Sequence, residues 1–396
     1  MGKIYTALGL MSGTSMDGVD ASIIQTDGKS KYKAILDKYF QYPEGIYNDL
    51  IILRDKIKTS EDLKKNQKKI KSVERNITIF HAESVDKILK KTRLNVDFIG
   101  FHGQTIFHNP RLKISKQLGD GKLLSKLTKK KVSYDFRQND LKNNGQGAPL
   151  TPVFHQLLNK KLKNQLKTDA IFFVNIGGII NVTNFSNLFK DEILLARDIG
   201  PGMCLIDKLI RDNLDQRYDE NGKIAKSGKV NKSKLIKLQK KLEDGGVGKF
   251  REWITFHDNI TDEGRFFRSL DIKDFDLSII KKLTLKDAAA TLTEITSLII
   301  AKLYTVGSLT TTLILCGGGR KNKFLVQRVK KISKHLNEAY ITKVKLIDEY
   351  GYDGDFIESQ AFAYLAIRSY LSLPITFPNT TGCKKACTGG VLVENF

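Results

Sequence analysis

The chain has 396 residues, 41% of them hydrophobic and 28% charged, with a formal net charge of +23. That length exceeds one ordinary core and predicts two domains, while the composition is that of a soluble globular protein with no apolar run near the roughly 20 residues of a membrane helix. The basic balance raises nucleic acid as a partner, but the lysines fall at helical spacing among apolar residues, as in QRVKKISKHL. No zinc-finger, RNP-like or helix-turn-helix pattern accompanies them, so they read as solvated faces and neither a nucleic-acid nor a membrane partner is expected.

In chain order, Ile4 to Leu10, Gly18 to Gln25 and Tyr32 to Gln41 carry strand signals. Tyr47 to Lys91 is helical in pattern. Val96 to Phe101 reads as a strand feeding a polar loop, Gly103 to Pro110. The glycines and prolines around Gly145 to Pro152 mark a domain crossing. The theme then restarts. Ala170 to Val174 predicts a strand, followed by a tight glycine turn and a returning strand, and LLARDIGPGMCLIDKLIRDNL predicts strand, turn and helix. Thr284 to Leu303 predicts a long helix, TTLILCGGGRKNKFLVQRVKKI a strand, glycine turn and helix, and ESQAFAYLAIRSYL a small-residue helix.

Two lobes therefore each begin with a strand, a glycine-bearing turn and a strand: GLMSGTSMDGVD at Gly9 to Asp20, and NIGGIINVT around Gly177 and Gly178. Neither turn is a P-loop or a Rossmann fingerprint. Glycine lets backbone amides approach an anion without a Cβ clash. Paired hairpin turns of this kind, facing each other, are the phosphate arrangement of the actin-like ATPase fold. The four cysteines, Cys204, Cys316, Cys383 and Cys387, are scattered. Cys383 and Cys387 lack a second ligand pair and His102 and His108 lack diagnostic spacing, so no protein metal site is expected, and a reducing cytoplasm is the expected home.

Eight motifs in order resemble the anhydro-N-acetylmuramic acid kinases over nearly the whole chain: GLMSGTSMDGVD, IGFHGQTIFHNP, DFRQNDLKNNGQGAPLTP, NIGGIINVTNF, RDIGPGMCLID, DAAATLTEIT, LCGGGRKNKFL and GDFIESQAFAYLAIR. The resemblance implies a two-domain α/β fold of the sugar kinase, Hsp70 and actin superfamily, with a nucleotide cleft between the lobes. It implies conversion of ATP, water and 1,6-anhydro-N-acetylmuramic acid to ADP and N-acetylmuramic acid 6-phosphate, in peptidoglycan recycling. The implied partners are the small sugar and ATP, and a homodimer is expected, formed mainly by the second domain. The lobes are drawn at 1–137 with 370–396, and at 138–369.

Asp198 lies at a strand end just before a glycine turn; it matches the family's catalytic aspartate, or it caps the helix after Pro201. Glu358 matches a second active-site carboxylate that holds the sugar, or it sits favourably at a helix N-terminus. Gly13, Thr14, Ser15, Met16, Asp17, Gly18, Val19 and Asp20 match the ATP-binding loop, with Gly13 and Gly18 giving close approach. Asp17 and Asp20 either organise Mg2+ through water or form Asx turns. Gly177, Gly178, Gly200, Gly202, Gly317, Gly318 and Gly319 are expected to line the nucleotide site, and Gln104 and Thr105 to bond the sugar. Ile199 and Met203 stand where the family has threonine and asparagine, and WITFHDNITDEGRFF keeps only Gly264 and Arg265 of a family stretch. Two other readings share the fold: a kinase for an ordinary sugar hydroxyl, and a non-catalytic sugar or nucleotide sensor.

Overall fold

The computed structural model describes residues 2–186, 194–242, 269–270, 274–275, 277–303, 309–336 and 341–396. Gly264 and Arg265 lie outside them. The chain divides into two compact units, Met1–Leu157 with Asp355–Phe396, and Leu158–Gly354.

The first unit opens with an antiparallel meander, β1 (Tyr5–Ser12), β2 (Gly18–Thr26) and β3 (Tyr32–Gln41). The helical stretch that follows is three helices, Glu44–Lys56, Ser60–Lys65 and Gln67–Leu89, the second started by a Thr59–Asp62 capping box. Next, β4 (Phe98–Asn109) lies parallel to β1. The expected loop from Gly103 to Pro110 is strand as far as Asn109 instead, and Pro110 begins a short 3-10 turn. β5 (Ile114–Leu118) folds back antiparallel on Gln104 to Asn109 and supplies the ladder partner that keeps the polar segment extended. β6 (Lys131–Tyr134) adds a further parallel strand beside β4. One apolar cluster, including Leu8, Leu10, Ile77, Ile99 and Leu124, joins this sheet to the helices.

In the second unit, β7 (Ala170–Ile176), β8 (Ile179–Ser186) and β9 (Leu195–Pro201) repeat the meander. β10 (Thr310–Cys316) and β11 (Ile341–Leu346) extend it in parallel, in the order β11-β10-β7-β8-β9. The helix Leu285–Ala301 is buried along most of its length, and its buried faces are made of alanine, leucine, isoleucine and small hydroxyl residues.

The helix Ile357–Tyr370, placed by the sequence reading at the end of the second lobe, belongs to the first unit. Ser22, Gly9, Gly100 and Ser133 stand side by side on β2, β1, β4 and β6. A Cβ on Gly9 would fall 1.8 Å from the Ser359 carbonyl oxygen, and one on Gly100 2.1 Å from that of Phe362. This row of small residues seats the helix backbone on the sheet, and the Ser22 and Ser359 hydroxyls, 2.6 Å apart, pin it. The last strand, β12 (Val391–Val393), closes the first sheet antiparallel to β6. Both units thus carry a three-stranded meander flanked by two parallel strands, the duplicated α/β plan of the actin-like fold.

Candidate active site

In the first unit the β1–β2 connection is a tight turn. The Met16 amide donates to the Gly13 carbonyl at 3.2 Å, and Met16 itself takes φ of 59°. Thr14 and Ser15 are exposed, and Ser15 Oγ donates to the Asp17 carboxylate. Met16 and Val19 are 3% and 0% exposed, so their side chains anchor the turn in the core and can offer a ligand only backbone groups. The Asp17 carbonyl accepts from the Tyr42 amide at 2.8 Å and the Tyr39 hydroxyl at 3.0 Å.

The two expected glycines differ. A Cβ at Gly13 would meet nothing nearer than Ser15 Oγ at 3.9 Å, so this position is open to a ligand. A Cβ at Gly18 would lie 2.5 Å from the Phe40 carbonyl oxygen. Gly18 is therefore required by the neighbouring strand β3, a packing reason that the pattern of the turn did not reveal.

In the second unit Gly177 and Gly178 form the β7–β8 turn. Their carbonyls accept from the amides of Met203, at 2.9 Å, and of Gly202, at 2.9 Å, and Gly178 also from Cys204 at 3.3 Å. The turn thereby caps the helix Cys204–Asn213. A Cβ on Gly202 would fall 2.2 Å from the Gly177 carbonyl oxygen, and Gly200, at φ 150°, faces Ile299. The third turn follows β10: Gly317 takes φ 77° against Asn175, Gly319 packs on Ile176, and Gly318 has nothing within 4 Å of a Cβ. Arg320, 5% exposed, fixes this turn. It donates to both Asp348 carboxylate oxygens, at 2.7 and 2.8 Å, and to the Gly317 carbonyl at 3.2 Å. Among the turn glycines, Gly318 is thus open, and a Cβ on Gly177 would meet only the Ile179 carbonyl oxygen at 3.4 Å, much as Gly13 is open in the first unit.

Asp198 sits beside a β-bulge. Gly200 pairs with Ile180 and Asp198 with Asn181, so Ile199 is the extra residue. Ile199 is 1% exposed in the second unit's core, and Met203 gives its amide to the helix cap; neither departure places a new polar group at the turn. Asp198 is half-buried, and its Oδ2 accepts from the Leu270 amide at 2.9 Å and Ser269 Oγ at 3.3 Å. The leading amides of the following helix are already taken by Gly177 and Gly178. Glu358, also half-buried, stands in the first turn of the helix Ile357–Tyr370. Each unit therefore carries one of the two expected carboxylates.

Gln104 and Thr105 lie on β4. Gln104 Nε2 donates to the Gly13 carbonyl at 2.9 Å, which ties this strand to the turn. Its Oε1 is buried without a hydrogen-bond partner among the described residues. Thr105 Oγ1 accepts from Gln117 Nε2 at 3.1 Å. A polar cavity of about 210 Å³ opens beside these strands, lined by His102, Lys116, Gln117, Asp135 and Gln138 among others. Burial raises the Asp135 carboxyl above its usual range, and Asp135 takes φ of 57°. Asp135 opens the motif DFRQNDLKNNGQGAPLTP, but the sequence alone assigns it no role, because its left-handed backbone and its place in the cavity depend on tertiary structure. His102 is buried and His108 half-buried; His102 Nδ1 bonds the Gly103 carbonyl and its Nε2 faces Arg137 at 2.9 Å.

The family model described as anhydro-N-acetylmuramic acid kinase matches residues 5–395. A protein of that name from Pelagibacter ubique (strain HTCC1062) is 49% identical over 402 residues, covering all of both chains. One from Agrobacterium fabrum (strain C58 / ATCC 33970) is 37% identical over 401 residues, again covering both in full. Among solved structures, the (R)-2-hydroxyglutaryl-CoA dehydratase component A of Acidaminococcus fermentans is 10% identical with a TM-score of 0.40, covering 93% of this chain and 99% of that one.

Proposed function

The chain belongs to the anhydro-N-acetylmuramic acid kinase family, and from that premise we propose how its residues divide the work. The enzyme is an ATP-dependent sugar kinase. It opens 1,6-anhydro-N-acetylmuramic acid with water and phosphorylates it to N-acetylmuramic acid 6-phosphate, in peptidoglycan recycling.

Asp198 takes a proton from water as the water oxygen bonds to the anomeric carbon. The bond from that carbon to O6 breaks, and its electron pair stays on O6. O6 then bonds the γ-phosphorus as the bond to ADP breaks. The observation that carries this role is the carboxylate itself: half-buried, set by a bulge beside a glycine turn and oriented by Leu270 and Ser269. Glu358 holds sugar hydroxyls, and Gln104 turns its unpartnered Oε1 to a sugar donor while its amide holds the turn. The open backbone at Gly13, Gly177 and Gly318 receives phosphate oxygens, the step in which positioning and charge neutralisation dominate.

Mg2+ fits the first turn by donor chemistry: Asp17 and Asp20 are carboxylates beside the open Gly13 and the exposed Thr14 and Ser15 hydroxyls. When bound with the nucleotide it neutralises phosphate charge, and these two aspartates would hold it through water. The same reading makes the working form a cytoplasmic homodimer, its interface mainly on the second unit, which sedimentation would test. Among the described residues no helix is long and apolar enough to cross a membrane.

Turnover in heavy-oxygen water tests the chemistry. The solvent label is expected at C1 of the sugar and absent from the phosphoryl group, read by mass spectrometry of the fragments. Label in the phosphate, or an unlabelled C1, would overturn the assignment of Asp198 as the base for water.

A further inference from the structure

Cys383 and Cys387 flank three exposed residues, Lys384 to Ala386, while both sulfurs turn inward. They are 1% and 3% exposed. Asp140, 1% exposed, comes to the same point from the helix Gln138–Lys142. One carboxylate oxygen and the two sulfurs lie within 4.8 Å of one another. The catalytic reading uses none of these three groups.

The surroundings are built from backbone. The Asp140 carboxylate accepts from the Gly147 amide at 2.6 Å and from Thr381 Oγ1 at 2.6 Å. Gly145 allows the chain to pass it, since a Cβ there would fall 2.1 Å from Oδ2. The Cys loop is tied at both ends: the Cys387 amide donates to the Thr376 carbonyl at 2.9 Å, and the Lys384 amide to that of Asn143 at 3.1 Å. Thr376 Oγ1 stands 4.0 Å from Cys383 Sγ.

We propose that Asp140, Cys383 and Cys387 form a binding site for a thiophilic divalent cation of the zinc class, which staples the C-terminal loop to the Asp140–Gly147 turn. Tetrahedral zinc, with bonds of about 2.3 Å to sulfur and about 2.0 Å to oxygen, sets its ligand atoms roughly 3.5–3.8 Å apart. The trio therefore closes on an ion by moving about 1 Å or less. Each thiol gives its proton to solvent as its sulfur–metal bond forms, and the carboxylate supplies the third bond. The donors from Gly147 and Thr381 are the outer partners that orient a ligating carboxylate. Water or the Thr376 hydroxyl completes the fourth position.

The probe is Co2+, added to the reduced, chelator-treated full chain and then displaced by Zn2+. One Co2+ per chain is expected, with a near-ultraviolet thiolate-to-cobalt charge-transfer band. Cys383→Ser and Cys387→Ser are each expected to lose the band, whereas Cys204→Ser and Cys316→Ser, altered in the second unit, keep it. A measurement on the unaltered chain guards against variants that fail to fold. Zn2+ should slow iodoacetamide alkylation of Cys383 and Cys387, mapped by peptide mass spectrometry, and leave that of Cys204 and Cys316 unchanged. The proposal is overturned if no band forms, if the band survives loss of either cysteine, or if Zn2+ gives Cys383 and Cys387 no selective protection.

Discussion

At Gly13 and Gly18 the same residue type meets two different demands. Gly13 faces open space, so Gly13→Ala is expected to leave stability nearly unchanged while weakening ATP binding, because the added methyl group enters the room a phosphate would use. Gly18→Ala is expected to cost about 1–3 kcal/mol of stability, the usual range for overpacking, because its Cβ must displace the β3 backbone. Urea denaturation paired with calorimetric ATP titration separates the two; equal destabilisation by both variants would contradict the distinction. Asp198→Asn keeps the shape of the side chain and removes its basicity. Turnover is expected to fall by about 10² to 10⁴ with ATP affinity retained, the range general-base catalysis commands. Near-normal turnover would move the base to Glu358.

Among the elements, the helix Ile357–Tyr370 depends most on what lies beneath it. Its backbone rests on Gly9 and Gly100, a contact that only residues without a Cβ permit. Gly100→Ala is expected to lift the helix and to lower stability by about 1–3 kcal/mol or more. Ser22→Ala removes one buried hydroxyl partner of Ser359 and should cost roughly 1 kcal/mol. Since Glu358 is on this helix, Gly100→Ala should also raise the sugar KM more than the ATP KM. A shift in the ATP KM alone would detach Glu358 from the sugar.

For the whole molecule, pH is the lever with a definite sign. In the first unit His81, His102 and His155 are buried and His108 is half-buried, and loss of solvent around the ring is the leading cause that holds each imidazole neutral. His81 is pushed down to about 4, His108 and His155 to about 3, and His102 well below its ordinary value, with the Arg137 charge adding to the effect at His102 and His108. The unfolded chain takes up these protons near pH ~6.5, so between there and the folded values it binds more protons than the fold does. Their contribution is complete above about pH 6.5 and is lost as pH falls toward 4 and then 3. The urea midpoint is therefore expected to drop from about pH 7.5 to about pH 5, and a flat profile would contradict neutral burial. The +23 charge acts at the same scale but outside the core: the helix Lys232–Leu242 buries Leu238 and Leu242 and turns Lys232, Lys237, Lys240 and Lys241 to solvent.

What the sequence determined by itself is what neighbouring residues control. Short apolar or alternating runs set β1 to β3 and β7 to β10, glycine runs set the three turns, and the order of eight motifs carried the family. The tertiary structure decided whatever depends on the partner opposite a residue. Gly103 to Asn109 is strand because β5 pairs with it, not because of its own polar composition. Gly13, Gly177 and Gly318 are open while Gly18, Gly202 and Gly319 are filled by a neighbouring backbone or side chain, and all six look alike in one dimension. Gln104 reaches the Gly13 carbonyl, and Asp140 meets two cysteines from the far end of the chain, only because parallel strands and the returning C-terminal segment bring distant residues together. Local patterns encode backbone periodicity; side-chain surroundings come from long-range pairing, which no short stretch of sequence contains.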